Sequence, residues 1–295
     1  MRLWLMKTYK CIKTVVLSVA VAMVVAGCRT VPMTGRTQLM LSFESRENAM
    51  GVSAYAEYMQ KEKPTSNSRQ QEVLKRVGNA LKEYTGDTGY AWEFNVLESR
   101  TINAWCLPGG KIAVYTALMK KFNNEAELAC VVAHEIAHAI ARHGGERQSW
   151  NYLAVLGSFG MAAIGNDTAQ TIYGIGAQYG VMLPYSREHE READSIGLTL
   201  MSKAGYNPQA AVDFWKRFSG GKSTSVLDMF TSTHPCDEER VGLISSQLDD
   251  AMRLYRESPS QKGFGVKFNE GIPEAEDSRE DSGSSTSQGE VYITI

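Results

Sequence analysis

Residues 134–138 read His-Glu-Ile-Ala-His. On an α-helix, positions i and i+4 lie one above the other on the same face. His134 and His138 can therefore present two imidazoles to one metal ion. Glu135 stands beside them, placed to take a proton from a water held there. Zinc suits the pair, because neutral imidazole is a borderline ligand and zinc accepts a tetrahedral site with one open position. The flanks are helical in character. Asn123 and Asn124 can cap, and Glu125 and Glu127 complement the dipole of the first turn. Leu128, Val131, Val132, Ile136, Ala139 and Ile140 supply apolar positions, and Gly144-Gly145 is the expected stop.

A catalytic zinc of this kind needs a third protein ligand, often a carboxylate from a second helix. Glu190-Arg191-Glu192-Ala193-Asp194 offers one. Glu190 and Asp194 are again i and i+4. One carboxylate can bind the metal, and the other can accept the free N–H of a ligating histidine and fix its tautomer. His189 is an alternative ligand. Taken alone, such a charge run reads as a solvated helix face; the earlier His-Glu-x-x-His reverses that balance.

These pieces, with Asn103-Ala104-Trp105-Cys106-Leu107-Pro108-Gly109-Gly110 upstream, Tyr185-Ser186-Arg187 before Glu190, and Thr233-His234-Pro235 followed by Arg240, resemble a known family. It is the zinc metallopeptidase family of HtpX, the CAAX prenyl proteases and the mitochondrial Oma-type protease, and above all its bacterial BepA- and LoiP-like lipoprotein peptidases. The likeness covers roughly residues 40 to 250. It implies an α+β fold: a mainly helical gluzincin-type domain with a small β-sheet whose edge strand borders the active-site cleft. It implies one Zn2+ per chain, held by His134, His138 and Glu190 with Asp194 behind them. Glu135 would be the general base, and His234 and Arg240 the candidates for stabilising an oxyanion. His234 could instead fill the open metal position and hold the enzyme latent. A substrate groove is expected along Asn103, Gly109, Gly110, Ile112 and Val114, with the 111–115 strand offering its edge. Trp105-Cys106 departs from the family's more common Phe-Ala.

The chain has 295 residues and a net charge of −2. That allows one sizeable domain with extensions, and gives no electrostatic reason to expect nucleic acid. Residues 1–27 read as a lipoprotein signal peptide: Arg2, Lys7, Lys10 and Lys13, then an apolar run over 14–26 that is short against the roughly 20 residues a membrane span needs. Val25-Ala26-Gly27-Cys28 looks like a lipobox, which would make Cys28 the acylated N-terminus of a protein held at the outer membrane and facing the periplasm. An ordinary signal peptide with an incidental Cys28 is the alternative. With Cys11 removed and Cys28 lipidated, Cys106, Cys130 and Cys236 remain, an odd count with at least one free thiol or an intermolecular bond. A Cys106–Cys236 bridge is left open.

The rest is coarser. Residues 28–43 read as a linker, 44–255 as the catalytic domain, and 256–295 as a disordered tail rich in Ser, Gly, Glu and Asp. Helices are expected over 44–62 and 68–84 and strands over 91–97 and 111–115. Thr116 should cap a short helix and Ser186 the Glu190 helix. Further helices should run from Asn207-Pro208 and, last, from Pro235. Residues 150–183 fit two short helices over the cleft, with a transmembrane hairpin as the rival reading. The expected function is a membrane-anchored zinc metalloendopeptidase that degrades misfolded or unassembled envelope proteins, with envelope assembly machinery as a partner. The alternative is a chaperone-like or scaffolding lipoprotein with a latent or structural zinc site.

Overall fold

The computed structural model describes residues 27–163, 183–219, 233–235 and 237–268. Residues 1–26, 164–182, 220–232, Cys236 and residues 269–295 lie outside them.

The centre of the molecule is helix α4, Glu125–Ile140, which carries the His-Glu-x-x-His motif (α1 to α3 are placed below). It is apolar almost all round, as a helix enclosed by its own protein must be. Leu128, Val131, Val132 and Ile136 have no accessible surface, and each stabilises the fold by about 1.5–3 kcal/mol. Asn124 caps it as expected, its side chain accepting from Glu127 N–H. Beside α4 lies the helix Leu183–Lys203, named α6, which carries the second motif. Gly197 sets how close the two come: a Cβ there would lie 3.0 Å from His134 N.

A three-stranded sheet covers the other side, formed by β3 (Glu93–Leu97), β4 (Ala104–Leu107) and β5 (Lys111–Tyr115) in the order β3-β5-β4. β3 and β5 run parallel, while β4 and β5 form an antiparallel hairpin over the Pro108-Gly109-Gly110 turn. The sequence reading missed β4 and gave the edge to 111–115. β5 is the central strand, bonded on both sides, so β3 and β4 are the edges; residues 63–65 bond the outer side of β3, and β4 is the edge nearer the site. Helices α1 (Glu44–Lys61) and α2 (Ser68–Lys82) match the expected pair, and α3 is the short Thr116–Met119. Thr116 does not cap α3. It is the first helical residue, and its hydroxyl donates to Ser99 O.

The motif helix does not stop at Gly144-Gly145. The turn comes at Arg142, a non-glycine residue in the left-handed region at φ 57°, and both glycines lie inside α5, His143–Ala163. Two short helices were expected over 150–183; α5 covers the first part of that span, and 164–182 lie outside the described residues. Ser186 likewise falls inside α6 and caps nothing. α7 (Gln209–Ser219) follows a turn at Asn207. α8 (Glu238–Ser246) starts from Asp237, whose side chain accepts from Arg240 N–H, and is followed by α9 (Leu248–Glu257). Among the described residues no helix is long and apolar enough to cross a membrane.

Two extensions lie on this body. An N-terminal hairpin pairs β1 (Cys28–Thr30) with β2 (Thr37–Leu39). At the other end, residues 258–268 continue past the expected boundary at 255 and pack down. Ala126 N–H donates to Phe264 O at 3.1 Å and Glu125 N–H to Val266 O at 3.1 Å. These are N-terminal donors of α4 that have no partner within their own helix. Phe268 is buried beside them.

Candidate metal centre

One turn of α4 and one turn of α6 face each other across the close approach at Gly197. Together with His234 from the loop before α8, they bring one donor atom each from His134, His138, Glu190 and His234 within 4.8 Å of one another. Nearest neighbours are tighter. His134 Nε2 lies 3.1 Å from His138 Nε2, 3.2 Å from Glu190 Oε2 and 3.3 Å from His234 Nδ1. His138 Nε2 is 3.3 Å from Glu190 Oε1, and His234 Nδ1 is 3.2 Å from Glu190 Oε2. A tetrahedron with bonds of about 2.0–2.1 Å has edges of about 3.3 Å. One proton on His134 Nε2 cannot serve three neighbours at once, whereas a single cation can. The donor set, imidazole nitrogen and carboxylate oxygen without thiolate, fits zinc.

The far side of His134 is built from charge. Its Nδ1 is 2.9 Å from Asp194 Oδ1, and Asp194 is gripped by Arg240, Nε to Oδ2 at 2.8 Å and Nη2 to Oδ1 at 2.9 Å. Arg240 Nη1 donates to Pro235 O at 2.7 Å, and the guanidinium lies 4.6 Å over the Trp215 ring. These donors are directed at Asp194, the backbone and Glu190, the last at 3.3 Å, which places Arg240 behind the donor cluster. Burial disfavours the charged form of Asp194, but Arg240 and His134 outweigh it and lower its pKa. Glu190 is held well below the usual carboxylate range against its own burial, by His234, His138 and His134. Burial also works against a charged His134, yet its bonds to Asp194 and Glu190 push it up to about 9. His138, with burial dominant, falls to about 3.

Glu135 is buried beside the cluster. Burial raises its pKa, partly offset by His234, His134 and the Cys106 backbone N–H. Its Oε1 lies 3.3 Å from His234 Nε2 and has no hydrogen-bond partner of good geometry. That is a buried carboxylate oxygen with room to take a proton.

The remaining expectations fare differently. His189 is no alternative ligand, because its Nε2 turns to Glu146 Oε2 at 2.9 Å. Ile112 and Val114 are fully buried, and the Gly109-Gly110 turn packs under Asn48 and Trp92, so none of these lines a groove. The Asn103 side chain accepts from Ala104 N–H at the start of β4. It is β4, through Cys106, that borders the site. Cys106 is a free thiol, with its pKa raised well above the ordinary value by burial. Cys28 is exposed on β1. The sequence reading did not find Trp215, His143, Glu146 or Glu192. A histidine five residues after His138 and a second carboxylate within Glu190–Asp194 were the only local signals of the last group.

The profile of peptidase family M48 matches residues 64–247. Mitochondrial metalloendopeptidase OMA1 of Schizosaccharomyces pombe is 33% identical over 228 residues, 75% of this chain and 66% of that protein. The Arabidopsis thaliana protein of the same name is 36% identical over 172 residues, 57% of this chain and 34% of its own. The putative beta-barrel assembly-enhancing protease of Vibrio cholerae is 29% identical over 206 residues, 64% and 41% of the two chains. The chain spans from about a third to just under two thirds of the length of these curated relatives. The matched segment contains the whole donor cluster, and the chain belongs to peptidase family M48.

Proposed function

We propose that this chain is a zinc-dependent metalloendopeptidase, held to a bacterial envelope membrane through Cys28 and acting on misfolded or unassembled envelope proteins. The observation that carries the reading is the set of four donor atoms, one per residue and all within 4.8 Å of one another, with the buried Glu135 carboxylate beside them. His134, His138 and Glu190 would hold the ion. Bound there, zinc supplies Lewis acidity, which acidifies water and polarises a carbonyl. Glu135 takes the proton and returns it to the leaving amine, with a raised pKa suited to both tasks. The free edge of β4 receives the substrate as an added strand, through main-chain hydrogen bonds with little demand on side chains. Such tolerance suits unfolded clients, and the name of the Vibrio cholerae relative, a putative beta-barrel assembly-enhancing protease, supports an envelope role.

His234 occupies the remaining corner of the donor set. A catalytic zinc keeps one position open, so this arrangement is the resting state, with His234 as a latch that substrate or a partner displaces. This is also what favours the second reading, a chaperone-like or scaffolding protein with a silent site.

Zinc-dependent cleavage of an unfolded protein such as casein, compared between wild type and Glu135→Gln, tests the proposal. Cleavage should fall by about 10²–10⁴ with zinc retained; equal cleavage by the variant would refute the mechanism. The anchor has its own test: wild type should label with palmitate and Cys28→Ala should not, and labelling of that variant overturns it.

A further inference from the structure

The far side of His138 carries a device unlike the carboxylate behind His134. With Nε2 facing the donor cluster, Nδ1 of His138 lies 2.8 Å from Nδ1 of His143. His143 Nε2 lies 3.0 Å from Glu192 Oε2. Glu192 in turn takes Arg36 Nε at 2.8 Å and the Thr34 hydroxyl, both from the N-terminal hairpin. We propose that His143 is a positioning residue for His138, and that Glu192 and Arg36 set its tautomer from the hairpin that follows Cys28. The proposal rests on the zinc reading above.

The proton count allows one arrangement. Two imidazole nitrogens 2.8 Å apart share a single proton. If His138 Nε2 gives its lone pair to a metal, its proton is on Nδ1, which must donate. His143 Nδ1 is then the acceptor and bare. The remaining proton of His143 is on Nε2, where it meets a carboxylate that can only accept. Every contact from the hairpin to the donor cluster is satisfied by this one set of tautomers, and reversing His143 breaks two of them.

The ring has little freedom to do otherwise. His143 is 1% exposed and stacks on His189 at 4.3 Å with planes 8° apart. His189 is fixed by Glu146, whose two oxygens Arg36 also grips, at 3.0 and 2.7 Å. The backbone is set as firmly. Arg142 takes the left-handed conformation, costly for a residue with a Cβ. Its guanidinium holds it there, donating to Glu47 at 3.0 and 2.8 Å and to Ser42 O at 3.3 Å. That turn brings the first residue of α5 back beneath the last turn of α4.

Two measurements on the full chain test this. In zinc-loaded wild type, long-range 1H–15N correlation of the imidazoles should show His138 as the Nδ1–H and His143 as the Nε2–H tautomer. A His143 Nδ1–H tautomer overturns the proposal, whether or not any variant folds. Zinc affinity by chelator competition should fall about 10–100-fold in His143→Leu, the usual cost of removing such a support. It should recover in His143→Asn, whose Oδ1 can accept where Nδ1 did. Equal affinity of His143→Leu and wild type, or no recovery in His143→Asn, overturns it while leaving the zinc site standing. A wild type that takes up no zinc overturns both.

Discussion

Arg240 holds Asp194 by both carboxylate oxygens, and Asp194 holds the Nδ1 of His134 at 2.9 Å. All three side chains are buried. Removing the cation leaves a carboxylate in the interior with its strongest partner gone, which typically costs about 3–5 kcal/mol. Arg240→Met should therefore lower the unfolding free energy, read from urea denaturation, by that order. Arg240→Lys should restore only part of it, since an ammonium cannot make the forked contact. Turnover reduced by about 10²–10³ at unchanged stability would contradict this and return Arg240 to the oxyanion.

Glu190 and Asp194 lie on one face of α6, yet they meet His134 on opposite nitrogens, Nε2 and Nδ1. Their losses should differ in kind. Glu190→Ala should lose zinc outright, while Asp194→Asn should weaken it by about 10–100-fold. Metal analysis after dialysis separates them. Zinc bound by Glu190→Ala as tightly as by wild type would remove Glu190 from the ligand set.

His234 sits in the donor cluster and near Glu135 at once. As a latch it suppresses activity, so His234→Ala should raise basal proteolysis and expose self-cleavage. As an oxyanion donor it would instead be needed, and the variant would lose about 10²–10³ in turnover. A single rate measurement with zinc content in hand distinguishes the two, and a clear loss of activity rules out the latch.

Glu146 links the hairpin to α6 through Arg36 and His189. Burial raises its pKa, but these two partners outweigh that and leave it below the ordinary value of 4.5. A carboxylate depressed in the folded state contributes stability that is complete above its unfolded pKa and is lost as pH falls through the folded one. Urea midpoints should therefore drop as pH is lowered below about 4.5, the unfolded value. Glu146→Gln should be less stable at neutral pH and flatter in acid. A variant whose midpoint falls as steeply as wild type's would show that other carboxylates carry the acid loss.

The sequence by itself determined the motif helices and the faces that carry His134 with His138 and Glu190 with Asp194. Spacing of i and i+4 is a property of one helix, fixed by its 3.6-residue turn before anything packs on it. Local signals also placed α1, α2, β3, β5 and the Asn124 cap, because periodicity and capping are read within a few residues. Tertiary structure decided the rest. Ala104–Leu107 has no strand signature of its own, and it is an edge only because β5 pairs on both sides. Residues 258–268 look like tail until the open donors at the start of α4 give their carbonyls a partner. Arg240 could be assigned to the cleft or behind it until Asp194 and Trp215 fixed its place. The relay behind His138 joins residues 110 and 156 positions apart through Arg36. It depends on a left-handed turn at Arg142, where no glycine marks it. Contacts of that separation exist only once distant segments have closed on one another, which no local pattern records.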